Sequence, residues 1–98
     1  MLAMCESNLT LCARVQQLYD QGKATLGQIG RVKSHCTQTA REVCQIAREL
    51  CGGNGILLEN FVMKAFMDIE ALHTYEGTYE INMLVSSREV TGGLMAFK

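Results

Sequence analysis

Eight consecutive residues, His73-Thr74-Tyr75-Glu76-Gly77-Thr78-Tyr79-Glu80, bring carboxylates, a glycine, two phenols and hydroxyls together between two segments of apolar periodicity. Glu76 carries the chemical interest. Thr78 suits the N-cap of a following helix, and Glu80 suits its first turn, where the helix dipole favours a carboxylate. Neither role accounts for Glu76, which precedes the cap and follows an apolar helix. A carboxylate against an apolar wall is partly desolvated, which raises its proton affinity. Such a group is a competent general base near neutral pH. Gly77 beside it would let a ligand carbonyl approach a backbone N–H. On spacing alone, a solvated loop acid is still the commoner outcome for a residue so placed.

The elements that would hold this loop read as helices. Proline is absent, and no strand-like alternation runs beyond four residues. A first helix is expected over about Ser7 to Gln21, with Leu11, Val15 and Leu18 on one face, ending at Gly22. Thr25 and Gln28 suit a capping box. From there Ile29, Val32, Cys36, Ala40, Val43, Ala47 and Leu50 recur at steps of three or four, so one helix reaches Cys51. Twenty-six residues at 1.5 Å each span about 39 Å, which calls for partner helices along its length, some outside this chain. Gly52-Gly53-Asn54-Gly55 stops it through a Schellman-type cap and a sharp turn. Three glycines in four residues exceed what a cap requires, so close approach of a ligand to the backbone is a second reading.

A third helix is expected from Asn60 to Leu72, burying Phe61, Val62, Ala65, Phe66, Ile69 and Leu72, with Met63 and Met67 as packing filler. A fourth is expected from Thr78 to Thr91, with Ile81, Leu84, Val85 and Arg88 on one face and Gly92-Gly93 beyond it. Arg88 there either snorkels or meets an anionic ligand or a neighbouring subunit. The expected class is all-α, with three to four helices present.

Ninety-eight residues make one small domain, 48% apolar and 19% charged, as expected of a globular chain. A net charge of −1 without a basic patch argues against nucleic acid or an anionic membrane surface as the main partner. No apolar run reaches the roughly 18 residues of a membrane span. Met1 to Glu6 lacks the features of a secretory signal or an Arg-rich transit peptide, and the C-terminus carries no peroxisomal tripeptide. Five cysteines, Cys5, Cys12, Cys36, Cys44 and Cys51, form no CxxC, and His35 and His73 stand apart. Free buried thiols in a reducing compartment are expected, and no zinc site.

Two motifs carry a family resemblance. Glu49-Leu50-Cys51-Gly52-Gly53-Asn54-Gly55-Ile56 and Thr74-Tyr75-Glu76-Gly77-Thr78 stand 27 residues apart, counted from Glu49 to Glu76. Arg41-Glu42-Val43-Cys44-Gln45-Ile46-Ala47-Arg48 precedes them and Gly92 follows. Over residues 9 to 97 the chain resembles the end of an acyl-CoA dehydrogenase, most closely glutaryl-CoA dehydrogenase and the peroxisomal short-chain acyl-CoA oxidases. The run Tyr75 to Asn82 followed by Arg88-Glu89-Val90-Thr91-Gly92 is similar to the oxidase branch.

The resemblance implies part of an antiparallel four-helix bundle, the later portion of the family's C-terminal helical domain, over residues 1 to 98, without the family's N-terminal helical and middle β domains. It implies FAD-dependent oxidation of an acyl-CoA thioester to the enoyl-CoA, with Glu76 as the base that removes the α-proton. It implies that Gly77 offers its N–H to the thioester carbonyl, with Tyr75 also at the substrate. Thr78 and Glu80 map to flavin contacts. Glu49, Leu50, Cys51, Gly52 and Gly53 map to contacts with the FAD of a neighbouring subunit, which would use the surplus glycines. Many members of the wider family have glutamine at the positions of Glu49 and Glu80, and acidic residues there mark the glutaryl-like subgroup. The tail is about one residue too long to bring Phe97 to the flavin. Partners implied are a homo-oligomer, a dimer of dimers, and either an electron-transfer flavoprotein or oxygen as acceptor. The compartment implied is the mitochondrial matrix or the peroxisome, or the cytoplasm of a bacterium. A reading of a different class is a non-catalytic helical oligomerisation fragment, inactive on its own.

Overall fold

A computed structural model describes residues 1–92. The order is α1 (Leu2–Asp20), α2 (Leu26–Leu50), a 3-10 turn (Gly52–Ile56), α3 (Phe61–Thr74) and α4 (Tyr79–Val90). No strand occurs among the described residues. The expected Gly93 and Phe97 lie outside them.

The long helix is the frame. Thr25 caps α2 as expected: its hydroxyl accepts from Gln28 N at 3.2 Å while Gln28 Oε1 accepts from Thr25 N at 3.0 Å. Helix α1 begins five residues before the expected Ser7. Leu2 to Glu6 are all compatible with a helix, and no side chain caps the start, so nothing in composition marks the boundary. Its far end closes where Gly22 N and Lys23 N donate back to Tyr19 O at 3.0 Å and Leu18 O at 2.8 Å.

Each of the other helices runs antiparallel to α2. Asn8 Nδ2 donates to Cys36 O at 2.9 Å, which sets α1 against the middle of α2. Arg41 meets Glu70, and Thr37 meets His73, so α3 lies along the C-terminal half of α2. Ser34 Oγ donates to Tyr79 O at 3.3 Å, Arg31 to Ser86 Oγ at 2.9 Å and Gly27 N to Glu89 Oε2 at 2.8 Å. Helix α4 therefore covers the N-terminal half. Helices α3 and α4 follow one another in a single direction along α2, like one helix broken in the middle. With 14 and 12 residues they match the 25 of α2.

The contact between α2 and α4 runs over small residues. Gly27, Gly30 and Ser34 are the buried positions of α2, at helical steps of three and four. A Cβ on Gly30 would stand 3.1 Å from Asn82 O, so the two backbones approach closely. At the N-terminus of α2 the Glu89 carboxylate takes a hydrogen bond from the Thr25 hydroxyl at 2.6 Å and another from Gly27 N. A carboxylate from α4 thus helps cap α2, where the dipole favours negative charge.

Among the described residues no apolar side chain is fully buried. Val15, Leu18, Val32, Ala40, Val43, Ala47, Val62, Ala65, Phe66 and Ile69 reach half-burial on the expected faces. Leu50, Phe61 and Leu72, expected inside, are exposed. The extents are 48 × 29 × 18 Å and the radius of gyration is 15.9 Å, against about 13 Å for a compact chain of this length. The described residues form a slab in which α1, α3 and α4 all pack on α2. Between α1 and α2 an open groove of about 500 Å³ is lined by Val15, Tyr19, Ile29 and Val32.

The thiols are free, but Cys5, Cys12 and Cys51 are exposed where burial was expected. The low helix count leaves them uncovered. Cys12 and Cys36 lie Sγ to Sγ at 3.7 Å, and burial together with the Cys12 contact pushes the Cys36 thiol up to about 12.

No helix among the described residues is long and apolar enough to cross a membrane.

The Thr25 hydroxyl, then Gly27 N–H, with Arg31 adding, hold the Glu89 carboxyl below its usual 4.5. A depressed carboxylate contributes stability above its unfolded pKa and loses it as pH falls through the folded value. Glu89→Gln is expected to lower the melting temperature at pH 7. The gap to wild type should close as pH falls below about 4.5. Thermal melts across that range check it, and a gap independent of pH would contradict the capping role.

Candidate functional site

The break between α3 and α4 is built by two successive left-handed residues. Tyr75 ends α3 in extended conformation, Glu76 takes φ +55 and Gly77 φ +93, and Thr78 restarts the chain as N-cap of α4. The Thr78 hydroxyl accepts from Ile81 N at 3.3 Å. Glu76 is the one non-glycine residue with positive φ among those described. That conformation costs a bulky side chain about 1–3 kcal/mol. Glycine or asparagine would hold it with less strain, so the backbone alone does not explain a glutamate there. At Gly77 only glycine fits: its φ strains any side chain, and a Cβ would stand 3.1 Å from Asn82 Nδ2.

The loop is held from α2. Lys33 Nζ donates to Tyr75 O at 2.6 Å and to Gly77 O at 2.5 Å, with His73 O at the limit of reach at 3.5 Å. Asn82 Nδ2 adds a bond to Gly77 O at 2.9 Å. Hydrogen bonds from a charged donor contribute about 1.5–3 kcal/mol each, enough to offset the strain at Glu76. Neither ion pair among the described residues involves Lys33. Its ammonium is spent on main-chain carbonyls at the end of α3, where a cation also suits the dipole.

A polar chain below the loop fixes the last turn of α3. Arg41 Nε pairs with Glu70 at 2.8 Å, and its NH1 reaches His73 Nε2 at 3.3 Å. His73 Nδ1 meets Thr37 Oγ1 at 3.1 Å, and that hydroxyl donates to Lys33 O at 2.8 Å. Arginine can only donate, so His73 accepts at Nε2 and donates from Nδ1. The His73 ring stacks on Tyr79 at 5.8 Å, joining the two helices across the break. Tyr75 is exposed, with Lys33 Nζ 6.0 Å from its ring centre.

Glu76, Tyr75, Gly77, Thr78 and Glu80 are thus gathered at one place. The Glu76 carboxylate is exposed and makes no hydrogen bond or ion pair among the described residues. Glu76 is exposed, so the apolar wall expected beside it is not supplied by the described residues. The N–H groups of Glu76 and Gly77 make no hydrogen bond among the described residues either. Two neighbouring N–H groups without partners can both donate to an anionic oxygen. A base and an oxyanion site within two residues is what proton removal next to a carbonyl requires.

Glu49, Leu50, Cys51, Gly52 and Gly53 lie elsewhere. Ser34 touches the start of α4, and Leu50 is 16 residues further along α2, roughly 24 Å away. The two candidate cofactor sets therefore occupy separate parts of the chain. The glycine surplus also shrinks. Gly52 has φ +58, and the chain passes into a 3-10 turn where a sharp Schellman reversal was expected. A Cβ on Gly55 would lie 2.4 Å from Arg48 O. Both glycines serve the turn, and only Gly53, with nothing within 4 Å of a Cβ, is left without a structural reason.

Lys33, Asn82, Thr37 and Arg41 have no site role in the sequence reading. The available signal was a lysine between Val32 and Cys36 on an otherwise apolar face.

Residues 1–91 match the sequence model of the C-terminal domain of acyl-CoA dehydrogenases. The chain is 32% identical over 73 residues to an acryloyl-CoA reductase (NADH) of Anaerotignum propionicum, covering 74% of this chain and 18% of that protein. It is 30% identical over 80 residues to a cyclohexane-1-carbonyl-CoA dehydrogenase of Geobacter metallireducens, covering 82% of this chain and 21% of that protein. The chain thus spans about a fifth of the length of these curated relatives.

The two glycines make a paired prediction. Gly55→Ala must push Cβ into a backbone carbonyl and is expected to destabilise by about 1–3 kcal/mol. Gly53→Ala, facing open space, is expected to stay within about 0.5 kcal/mol of wild type. Equal losses in denaturant titrations would contradict the geometry.

Proposed function

The chain belongs to the acyl-CoA dehydrogenase family, and on that premise we propose that it is the C-terminal helical part of a longer flavoenzyme that removes hydrogens from the α and β carbons of an acyl-CoA thioester. The observation that carries this reading is the conformation at the break. A glutamate is held at φ +55 beside two N–H groups without partners. Local folding does not call for that residue, and proton removal next to a carbonyl does.

In this reading the thioester carbonyl lies against the N–H groups of Glu76 and Gly77. As the α-proton leaves, negative charge moves onto the carbonyl oxygen, and the two donors stabilise it. The Glu76 carboxylate takes the proton. Its own chain leaves it in solvent, so the bound acyl group provides the desolvation that strengthens the base. Tyr75 stands next to the acyl group. The acidic residues Glu49 and Glu80 support a short-chain or glutaryl-type thioester as substrate, in the oxidase or the glutaryl-like branch.

The residues present fit a flavin. The backbone at Gly52 and Gly53 is open, with nothing within 4 Å of a Cβ at either, and Leu50 is 72% exposed. FAD, when bound, supplies the hydride acceptor for the β-hydrogen. Thr78 and Glu80 would hold it in the same subunit, while Glu49, Leu50, Cys51, Gly52 and Gly53 would hold that of a neighbour. The roughly 24 Å between the sets supports a homo-oligomer, with a dimer of dimers as the family's arrangement. An electron-transfer flavoprotein or oxygen would then take the electrons.

Glu76→Gln in the whole protein is expected to slow flavin bleaching by saturating acyl-CoA by about 10²–10⁴-fold, with thioester binding retained. Bleaching at the wild-type rate would remove Glu76 from its role. Gly53→Ala is expected to lower FAD retention after gel filtration while the melting behaviour of the apoprotein stays unchanged. Full retention would separate Gly53 from the flavin.

A further inference from the structure

We propose that Lys33 is a positioning residue for the base, acting from the middle of α2 through the main chain of the loop; this rests on the reading of Glu76 given above. The carbonyls that Lys33 binds are not arbitrary. Tyr75 O belongs to the peptide before Glu76, and Gly77 O to the peptide after Gly77. The ammonium grips both sides of the Glu76–Gly77 peptide and leaves the peptide between them uncommitted. That central peptide carries the Gly77 N–H, and the one before it carries the Glu76 N–H, both without partners. With two flanking carbonyls tied to one point, the left-handed pair at φ +55 and φ +93 cannot relax toward a lower-strain turn without breaking a charged hydrogen bond.

Asn82 fixes Gly77 O from α4, but it bonds only one of the two carbonyls. Lys33 alone spans the pair. Its stem lines the groove between α1 and α2, and its backbone carbonyl takes the Thr37 hydroxyl, which in turn meets His73. Position 33 is therefore fixed to the last turn of α3 as well as to the loop. A placement error near 1 Å at reacting atoms costs on the order of 10²-fold in rate, which sets the expected scale.

The test uses the whole flavoprotein, with stopped-flow bleaching by a saturating short-chain acyl-CoA. Lys33→Met keeps the stem and removes the donors. It is expected to slow bleaching on the order of 10²-fold, with thioester affinity changed less than about threefold. Lys33→Arg, which keeps a cation with several donors, should recover at least tenfold of that loss. A residue acting through Glu76 has little left to do once Glu76 is gone. In the Glu76→Gln background, Lys33→Met is therefore expected to change the residual rate by less than about twofold. An unchanged rate in Lys33→Met overturns the proposal, and so does an equal loss in both backgrounds, which would mark a general folding role. If Lys33→Met does not retain flavin, Lys33→Gln, which removes the charge and keeps a polar side chain, carries the same comparison. Loss confined to the Glu76 background supports positioning, and no loss or equal losses overturn it. Full activity in Glu76→Gln alone would overturn the base assignment and this inference with it. A slow Glu76→Gln beside a normal Lys33→Met would overturn this inference only.

Discussion

One ammonium holds the join between two helices that must share a single long partner. Helix α2 runs unbroken for 25 residues, and no single helix among the described residues covers it. Helix α3 covers one half and α4 the other, so a break has to fall near the middle, and Lys33 stands beneath it. The last carbonyls of a helix need donors, and an ammonium suits the negative end of the dipole. One side chain meets both needs at once. It also sets the price of the loop: about 1–3 kcal/mol of strain at Glu76 is offset by charged hydrogen bonds of similar or greater size. A neutral donor would leave that balance close to zero.

Around this join the packing is uneven. The seam between α2 and α4 is closed by Gly27, Gly30 and Ser34, where backbones meet with little side chain between them. The seam between α2 and α3 is polar, through Arg41, Glu70, His73 and Thr37. Arg41 and Glu70 are each more than a third exposed, so that pair adds direction more than stability. Leu50, Phe61 and Leu72 stand exposed, and Val15, Val32, Val62, Phe66 and Ile69 are only half-buried, so each falls short of the about 1.5–3 kcal/mol that complete burial would contribute. The register of the helices is therefore fixed by polar and small residues, while most of the hydrophobic stabilisation of these faces is left to whatever else packs on them.

The sequence made the helices legible through local chemistry. The Thr25 box, the Thr78 cap and the stop at Gly52 were readable because capping depends on residues within one turn. The break at His73 to Glu80 was readable because a carboxylate before a cap has no local purpose. What failed was what depends on partners. Leu50, Phe61 and Leu72 sit on apolar stripes, and periodicity reports a stripe without reporting whether anything covers it. Lys33 and Asn82 look like single polar residues on helix faces. Their meaning appears only once antiparallel register puts residue 33 opposite 75 to 77. The three clustered glycines carried two different messages, since Gly55 answers to the Arg48 carbonyl and Gly53 to nothing in the fold.

The separation of the candidate groups along α2 bears on how such a site can be tuned. The loop with Glu76 and the segment Glu49 to Gly53 are linked by one continuous helix, so their spacing is set by the helical rise and not by flexible chain. A change of length in α2 would move both groups by whole residues and rotate them by about 100° each time. Substitutions on its surface leave that spacing intact. A carboxylate carried on a strained break beside a straight helix therefore has a fixed address, and its fine position is left to two donors. Lys33 and Asn82 are those donors, and each acts on a backbone carbonyl of the loop, not on the carboxylate. The Glu76 side chain itself is left uncommitted, as a group must be if it is to take up a proton and let it go.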